Sequence, residues 1–268
     1  MKLALSNIAW DVKDDDAVGA VMREHGITAL EVAPTKRWAK PAEATRSQAR
    51  EWREAWLERG IELVAMQALL FGRPDLQVFG SRDAQQETLD YLAIIARLGA
   101  WLGIGPMVFG SPKNRRKGPL TDVDAFEHAV AFFREAGWRA AEYGTVLCLE
   151  PNPTQYDCDF VTESAAGRAL VEAVDHPGFR LHLDAAGMTM AGEAPAAVAK
   201  ASHLLAHFHA SEPMLAPLGE GGVNHAGFAA TLRTMGYQGY VSVEMRDPGR
   251  PVVAEIDRVL RFLTATYA

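Results

Sequence analysis

Short apolar runs alternate along the whole chain with longer segments whose apolar residues recur every three to four positions. The runs at 2–9, 27–33, 61–68, 102–109, 146–150, 179–184, 204–209 and 240–245 are rich in Val, Ile, Leu and aromatic residues. Each stops at a polar or turn-forming residue, which predicts β-strands. Between them the periodicity predicts helices near 14–25, 42–59, 82–98, 122–143, 163–174, 194–201, 225–235 and 252–265. Thr121-Asp122 is a helix-start signal, and Gly60, Gly144 and Gly236 stand where helices should stop.

Strict alternation of strand and helix demands parallel strands joined by right-handed crossovers. Eight such units fill the 268 residues. That number predicts a single α/β domain over 1–268, a closed (β/α)8 TIM barrel, better than it predicts an open doubly wound sheet. The open sheet would put a glycine-rich turn after its first strand, whereas this one runs into Ser6-Asn7-Ile8-Ala9-Trp10.

Composition narrows the function. The chain is 49% hydrophobic and 23% charged, and 27 Lys and Arg against 34 Asp and Glu leave it at −7. Such a chain has no global field to attract phosphate backbones, so a nucleic-acid partner is not expected. The two cysteines, Cys148 and Cys158, form no CxxC, which fits a reducing, cytoplasmic setting. No signal peptide is read at the N-terminus. The most apolar window, 92–110, is broken by Arg97 and Pro106, so no membrane partner is expected either. One run, Lys113-Asn114-Arg115-Arg116-Lys117, opposes the overall sign. Falling after the fourth strand, it predicts a rim loop where Lys113, Arg115 and Arg116 could form a fork for an anion, as on a phosphorylated, nucleotide-linked or acidic sugar.

In a barrel of this kind chemistry sits where the strands end. Strand five ends in Glu150, strand six in Asp184, strand seven in His209 and strand eight in Glu244. Three carboxylates crowded at one rim repel one another unless a cation sits among them. Oxygen donors mixed with one imidazole suit Mn²⁺, Mg²⁺, Co²⁺ or Zn²⁺. His182 and His207 each precede a proposed ligand by two residues and share its inward lane, as partners that orient the ligands or as core histidines. Gln67, ending strand three, and Asn152, just past Glu150, are placed to hydrogen-bond a substrate. Trp10, Trp38 and Phe71 near loop tips could wall the site.

The ordered Glu/Asp/His/Glu set resembles the xylose isomerase-like superfamily of sugar isomerases and epimerases. The resemblance rests on Leu149-Glu150-Pro151-Asn152, His182-Leu183-Asp184, His207-Phe208-His209-Ala210-Ser211-Glu212, Gly219-Glu220-Gly221-Gly222-Val223-Asn224 and Val243-Glu244. It implies one divalent metal held by Glu150, Asp184, His209 and Glu244. Glu150 and Glu244 would exchange a proton beside a metal-bound carbonyl through an enediolate, and Glu212 falls among the substrate contacts. Loss of a β-hydroxyl on the same site would instead give a dehydratase of a keto-polyol or keto-acid. A sugar-binding scaffold is the non-enzymatic alternative. Ketose epimerases carry His three residues after the strand-six Asp and Arg six residues after the strand-seven His. Here those positions are Gly187 and Leu215, which argues against a plain free-ketohexose substrate. Relatives of this shape often associate through rims or outer helices, so a homo-oligomer fits the chain, although no helix face marks the contact.

Overall fold

The computed structural model describes residues 1–249 and 251–268. Eight strands close into one parallel barrel in chain order: β1 (Lys2–Ser6), β2 (Ala29–Val32), β3 (Glu62–Met66), β4 (Pro106–Phe109), β5 (Val146–Leu149), β6 (Phe179–Asp184), β7 (Leu205–Ser211) and β8 (Tyr240–Glu244). Pairs from Lys2 with Tyr240 to Leu5 with Val243 shut the seam. Outside lie α1 (Asp15–Glu24), α2 (Arg46–Glu58), α3 (Arg82–Leu102), α4 (Asp122–Glu142), α5 (Ser164–Val174), α6 (Ala185–Met190), α7 (His225–Thr234) and α8 (Val252–Tyr267). The expected (β/α)8 barrel is therefore the observed one.

Local signals set most helix ends. Thr45 opens α2 with a reciprocal capping box to Gln48, and Thr121 caps α4 through the Asp124 amide. Gly60, Gly144 and Gly236 all take positive φ just beyond helix ends, the left-handed turn in which glycine is unstrained. At one crossing a glycine pair sets the packing. A Cβ on Gly178 would overlap the Gly137 carbonyl, so α4 lies directly against the start of β6. There Phe133 stacks on Phe179, ring centres 4.8 Å apart, as part of the apolar layer between helices and barrel.

The sixth crossover departs from expectation. A helix at 194–201 is replaced by a 3-10 segment, Pro195–Ala201, and the regular turn of helix comes earlier, as α6. Asp184 caps α6 itself, its Oδ1 accepting the Gly187 amide at 2.5 Å. Strand ends also shift. β1 stops at Ser6 because Asn7–Ala9 form a 3-10 turn, and β4 starts at Pro106 because Leu102 still belongs to α3, closed by Gly103 at φ 79°.

Inside the upper barrel the lining is polar. Ser6, Glu31, His182, His207, Ser211 and Ser242 are all fully buried. Register shifts fall between Leu30 and Glu31 on β2 and between Leu181 and His182 on β6. Such irregularities re-aim side chains and gather near active sites.

Candidate metal centre and active site

Glu150 stands one residue past β5, Asp184 ends β6, His209 lies within β7, and Glu244 ends β8. Parallel register sets Asp184 beside His209 and Ser211 beside Glu244, so these side chains share the inward face. One donor atom from each of Glu150, Asp184, His209 and Glu244 lies within 4.8 Å of all the others. His209 Nδ1 is 3.3 Å from Glu244 Oε2, yet it is buried and has no hydrogen-bond partner among the described residues.

Asp184, Glu150 and His209 are each held from behind. The Ser211 hydroxyl donates to Asp184 Oδ2 in a short bond. Asn152 Nδ2 donates to Glu150 Oε2 at 3.2 Å and to the Gly110 carbonyl at 3.0 Å. Gly110 has to be glycine, because a Cβ there would overlap Glu150 Oε2. His209 Nε2 is 3.0 Å from both oxygens of Glu31, a wholly buried carboxylate that strand-end reading did not single out. His182 and His207 bond each other through Nδ1 at 3.1 Å, and His182 Nε2 sits 3.7 Å from Glu150 Oε1. His182 thus lies beside Glu150, and His207 lies behind His182.

The electrostatics follow from burial and from the crowding of the carboxylates. Burial, then the Glu244 and Asp184 carboxylates, push Glu150 up to about 8. Burial and Glu244 raise Asp184 as well. Burial would also raise Glu31, but the His209 and His207 imidazoles outweigh it and hold its carboxyl down at about 2. For His209 burial opposes the charge, while Glu31 and Glu244 drive its pKa well above the ordinary value. Burial keeps His182 and His207 neutral, His207 falling to about 4.

These residues fit a divalent cation. A buried imidazole nitrogen without a partner and three mutually repelling carboxylates converge on one point, and the donor set is oxygen-rich with one nitrogen. The pH dependence has a definite sign. Raised values mean that the Glu150 and His209 protons favour the metal-free fold below their unfolded values of 4.5 and 6.5, a contribution lost as pH rises through the folded values. Metal-free protein should therefore lose thermal stability from about pH 6.5 to 8, and the stabilisation by Mn²⁺ should grow over that window. Paired thermal melts check this; a Mn²⁺ increment that is flat or shrinks with pH would count against it.

A cavity of about 350 Å³ opens above the quartet, and Glu150, Asp184 and Glu244 form its polar floor. Gln67, Asn152 and Tyr156 also line it, with Leu215 and Phe71 on the apolar side. Gln67 Nε2 donates to Ser6 Oγ at 2.7 Å, and the Tyr156 hydroxyl accepts the Met214 amide at 3.1 Å. Tyr156 was not foreseen, because it lies in a loop with no periodic signal. Of the three aromatics considered, only the 70% exposed Phe71 lines the cavity. Trp10 and Trp38 serve packing, Trp10 bonding Asp15 and Trp38 meeting Trp52 edge to face.

The basic run does not form an anion fork. Arg115 is fully buried and donates to the carbonyls of Phe160, Phe109 and Glu150, the last at 2.6 Å. Arg116 pairs with Asp157 and Lys117 with Asp122, while Lys113 is exposed and does not line the cavity. Arg115 gives the carbonyls at the ends of β4 and β5 a second, charged donor beside the Glu150 amide and Asn152 Nδ2. Arg115→Met should cost about 2–4 kcal/mol in urea unfolding, because the Phe160, Phe109 and Glu150 carbonyls lose a charged donor and keep only Cys158 Sγ, the Glu150 amide and Asn152 Nδ2 respectively. A cost near zero would show that the tether is dispensable. Glu212 is likewise no substrate contact. It is buried and accepts the Gly219 and Val223 amides and a bond with His225 Nε2, anchoring the glycine-rich loop.

Among solved structures, D-psicose 3-epimerase from Clostridium cellulolyticum H10 matches with a TM-score of 0.83 at 17% identity, covering 100% of this chain and 99% of that one. The 3-keto-D-glucoside 4-epimerase of E. coli matches at 0.82 and 19%, covering 99% of each chain. A probable 3-DHS dehydratase from Bacillus anthracis matches at 0.76 and 17%, covering 98% of this chain and 99% of that one. At such identities these likenesses speak for the fold. No curated protein sequence matches significantly. The family model described as xylose isomerase-like TIM barrel matches residues 20–266, nearly the whole chain, and the protein belongs to that family.

Proposed function

We propose that the protein is a divalent-metal-dependent epimerase or isomerase of a keto sugar derivative, working by proton exchange at the carbon beside the carbonyl. The observation that carries this reading is the pair Glu150 and Glu244. They stand on β5 and β8 and reach into one cavity, with Asp184 and His209 between them. Glu150, Asp184, His209 and Glu244 would hold the ion, with Mn²⁺, Mg²⁺, Co²⁺ and Zn²⁺ all compatible with the donors. Bound there, a divalent ion supplies a Lewis acid that polarises a carbonyl and makes the adjacent C–H acidic. The chain's own task is the proton. Glu150 is a carboxylate on the cavity floor, placed to accept a proton from the carbon beside the carbonyl and to release it again. Glu244 serves as its counterpart, so that one glutamate removes the proton and the other returns it with inversion. Gln67, Asn152 and Tyr156 are placed to orient hydroxyls.

The substrate group in this cavity is neutral. Among the described residues no Lys or Arg lines it, so none of them offers a counter-charge to the phosphorylated or acidic sugar suggested by the basic run. Leu215 on the wall, and Gly187 near Asp184, stand where the resemblance has Arg and His, which favours a derivative over a free ketohexose. Names of similar structures, a psicose 3-epimerase and a 3-keto-glucoside 4-epimerase, support the reaction class. Among the described residues no helix is long and apolar enough to cross a membrane.

The test is exchange in D₂O with Mn²⁺-loaded protein and a panel of ketoses and keto-glycosides. The expected product carries one solvent deuterium beside the carbonyl and appears as an epimer or aldose–ketose isomer. Release of water with a new C=C bond would identify a dehydratase. Binding without exchange across the panel would favour a sugar-binding scaffold.

A further inference from the structure

Glu31 has no part in the quartet, yet its place is hard to explain by packing. It lies within β2, followed by Val32 and Ala33, and is 0% exposed. The β2–β3 register shifts immediately before it, so the strand is locally distorted where this carboxylate enters the barrel. Among the described residues no Lys or Arg pairs with it. Its partners are imidazoles: His209 Nε2 at 3.0 Å from both oxygens, and His207 Nε2 at 3.9 Å. Removing a carboxylate from water costs several kcal/mol unless good hydrogen bonds offset it. An apolar side chain at position 31 would satisfy the core more cheaply.

The geometry points to Glu31 as the residue that sets the tautomer and rotation of His209 for metal binding. An ionised carboxylate can only accept, so the proton of a neutral His209 is fixed on Nε2. The Nδ1 lone pair is then left free, on the side of the ring that faces Glu150, Asp184 and Glu244. Two oxygens at equal distance hold the ring more firmly than a single acceptor would, and the negative charge behind it makes Nδ1 a stronger donor. Glu31 is thus a positioning residue that acts through His209 and touches neither ion nor substrate. This inference rests on the metal reading of the quartet.

The experiment is Mn²⁺ titration by calorimetry on the full-length protein, comparing wild type with Glu31→Gln. Asp257→Asn serves as control, since Asp257 bonds the His25 imidazole at 2.8 Å between outer helices, away from the barrel mouth. Affinity should fall about 10–100-fold in Glu31→Gln, with circular dichroism unchanged, and stay at the wild-type value in the control. Wild-type affinity in Glu31→Gln, or an equal loss in the control, would overturn the assignment while leaving the quartet standing. No binding by wild type would overturn both. A second readout needs no variant. In Zn²⁺-loaded, ¹⁵N-labelled wild type, the His209 ring should show a metal-bound Nδ1 and a protonated Nε2. The reverse tautomer would overturn the proposal even if Glu31→Gln failed to fold.

Discussion

Asp184→Ala should abolish tight divalent-metal binding and leave a closed barrel. Asp184 contributes one of three carboxylates whose donor atoms, together with that of His209, lie within 4.8 Å of one another. The loss should be on the order of a thousandfold in affinity, about 4 kcal/mol. The fold pays far less. Asp184 caps α6 and accepts from Ser211, interactions whose removal costs about 1–2 kcal/mol. Part of that cost is returned, because deleting one of three crowded carboxylates relieves the repulsion that raises Glu150. Calorimetric titration with Mn²⁺, alongside urea unfolding of the metal-free forms, separates the two effects. Wild-type affinity in the variant would remove Asp184 from the site.

The second large effect concerns the proton. Glu244→Gln preserves size and one oxygen donor but can no longer accept a proton, so exchange beside the carbonyl should fall about 10²–10⁴-fold at saturating metal. Glu150→Gln should show a loss of the same order, since inversion needs one group to remove the proton and another to return it. The measurement is deuterium incorporation from D₂O into the best substrate of the panel, with metal content of each variant determined in parallel. Glu244→Gln that holds metal and exchanges at the wild-type rate would refute the assignment of proton transfer to this pair.

What sequence made visible was the part governed by periodicity. Strands that end in Glu150, Asp184 and Glu244, with His209 near the end of β7, could be read because a charged or imidazole group interrupts an apolar run at the point where a barrel strand meets solvent. Glu31 escaped that reading because two apolar residues follow it. Its strand looks buried to the end, and only the three-dimensional pairing with His209 explains the charge. Arg115 misled for the opposite reason. Its neighbours Arg116 and Lys117 behave as a charge run ordinarily does, pairing with Asp157 and Asp122 at the surface. Arg115 itself turns inward to three backbone carbonyls, two of them, Glu150 and Phe160, far from it in sequence, a role no local pattern announces. Glu212 and the glycine-rich loop show the same limit. Adjacent to His209 in the chain, Glu212 looks like part of the site, but loop amides and His225 claim it entirely.

The metal content of wild-type protein, purified without chelator and measured by elemental mass spectrometry, bears most directly on the account. The account predicts close to one equivalent of a divalent metal per chain, either as purified or after reloading with Mn²⁺, Co²⁺ or Zn²⁺. Protein that stays empty after reloading would contradict it, and the barrel would then be read as a scaffold.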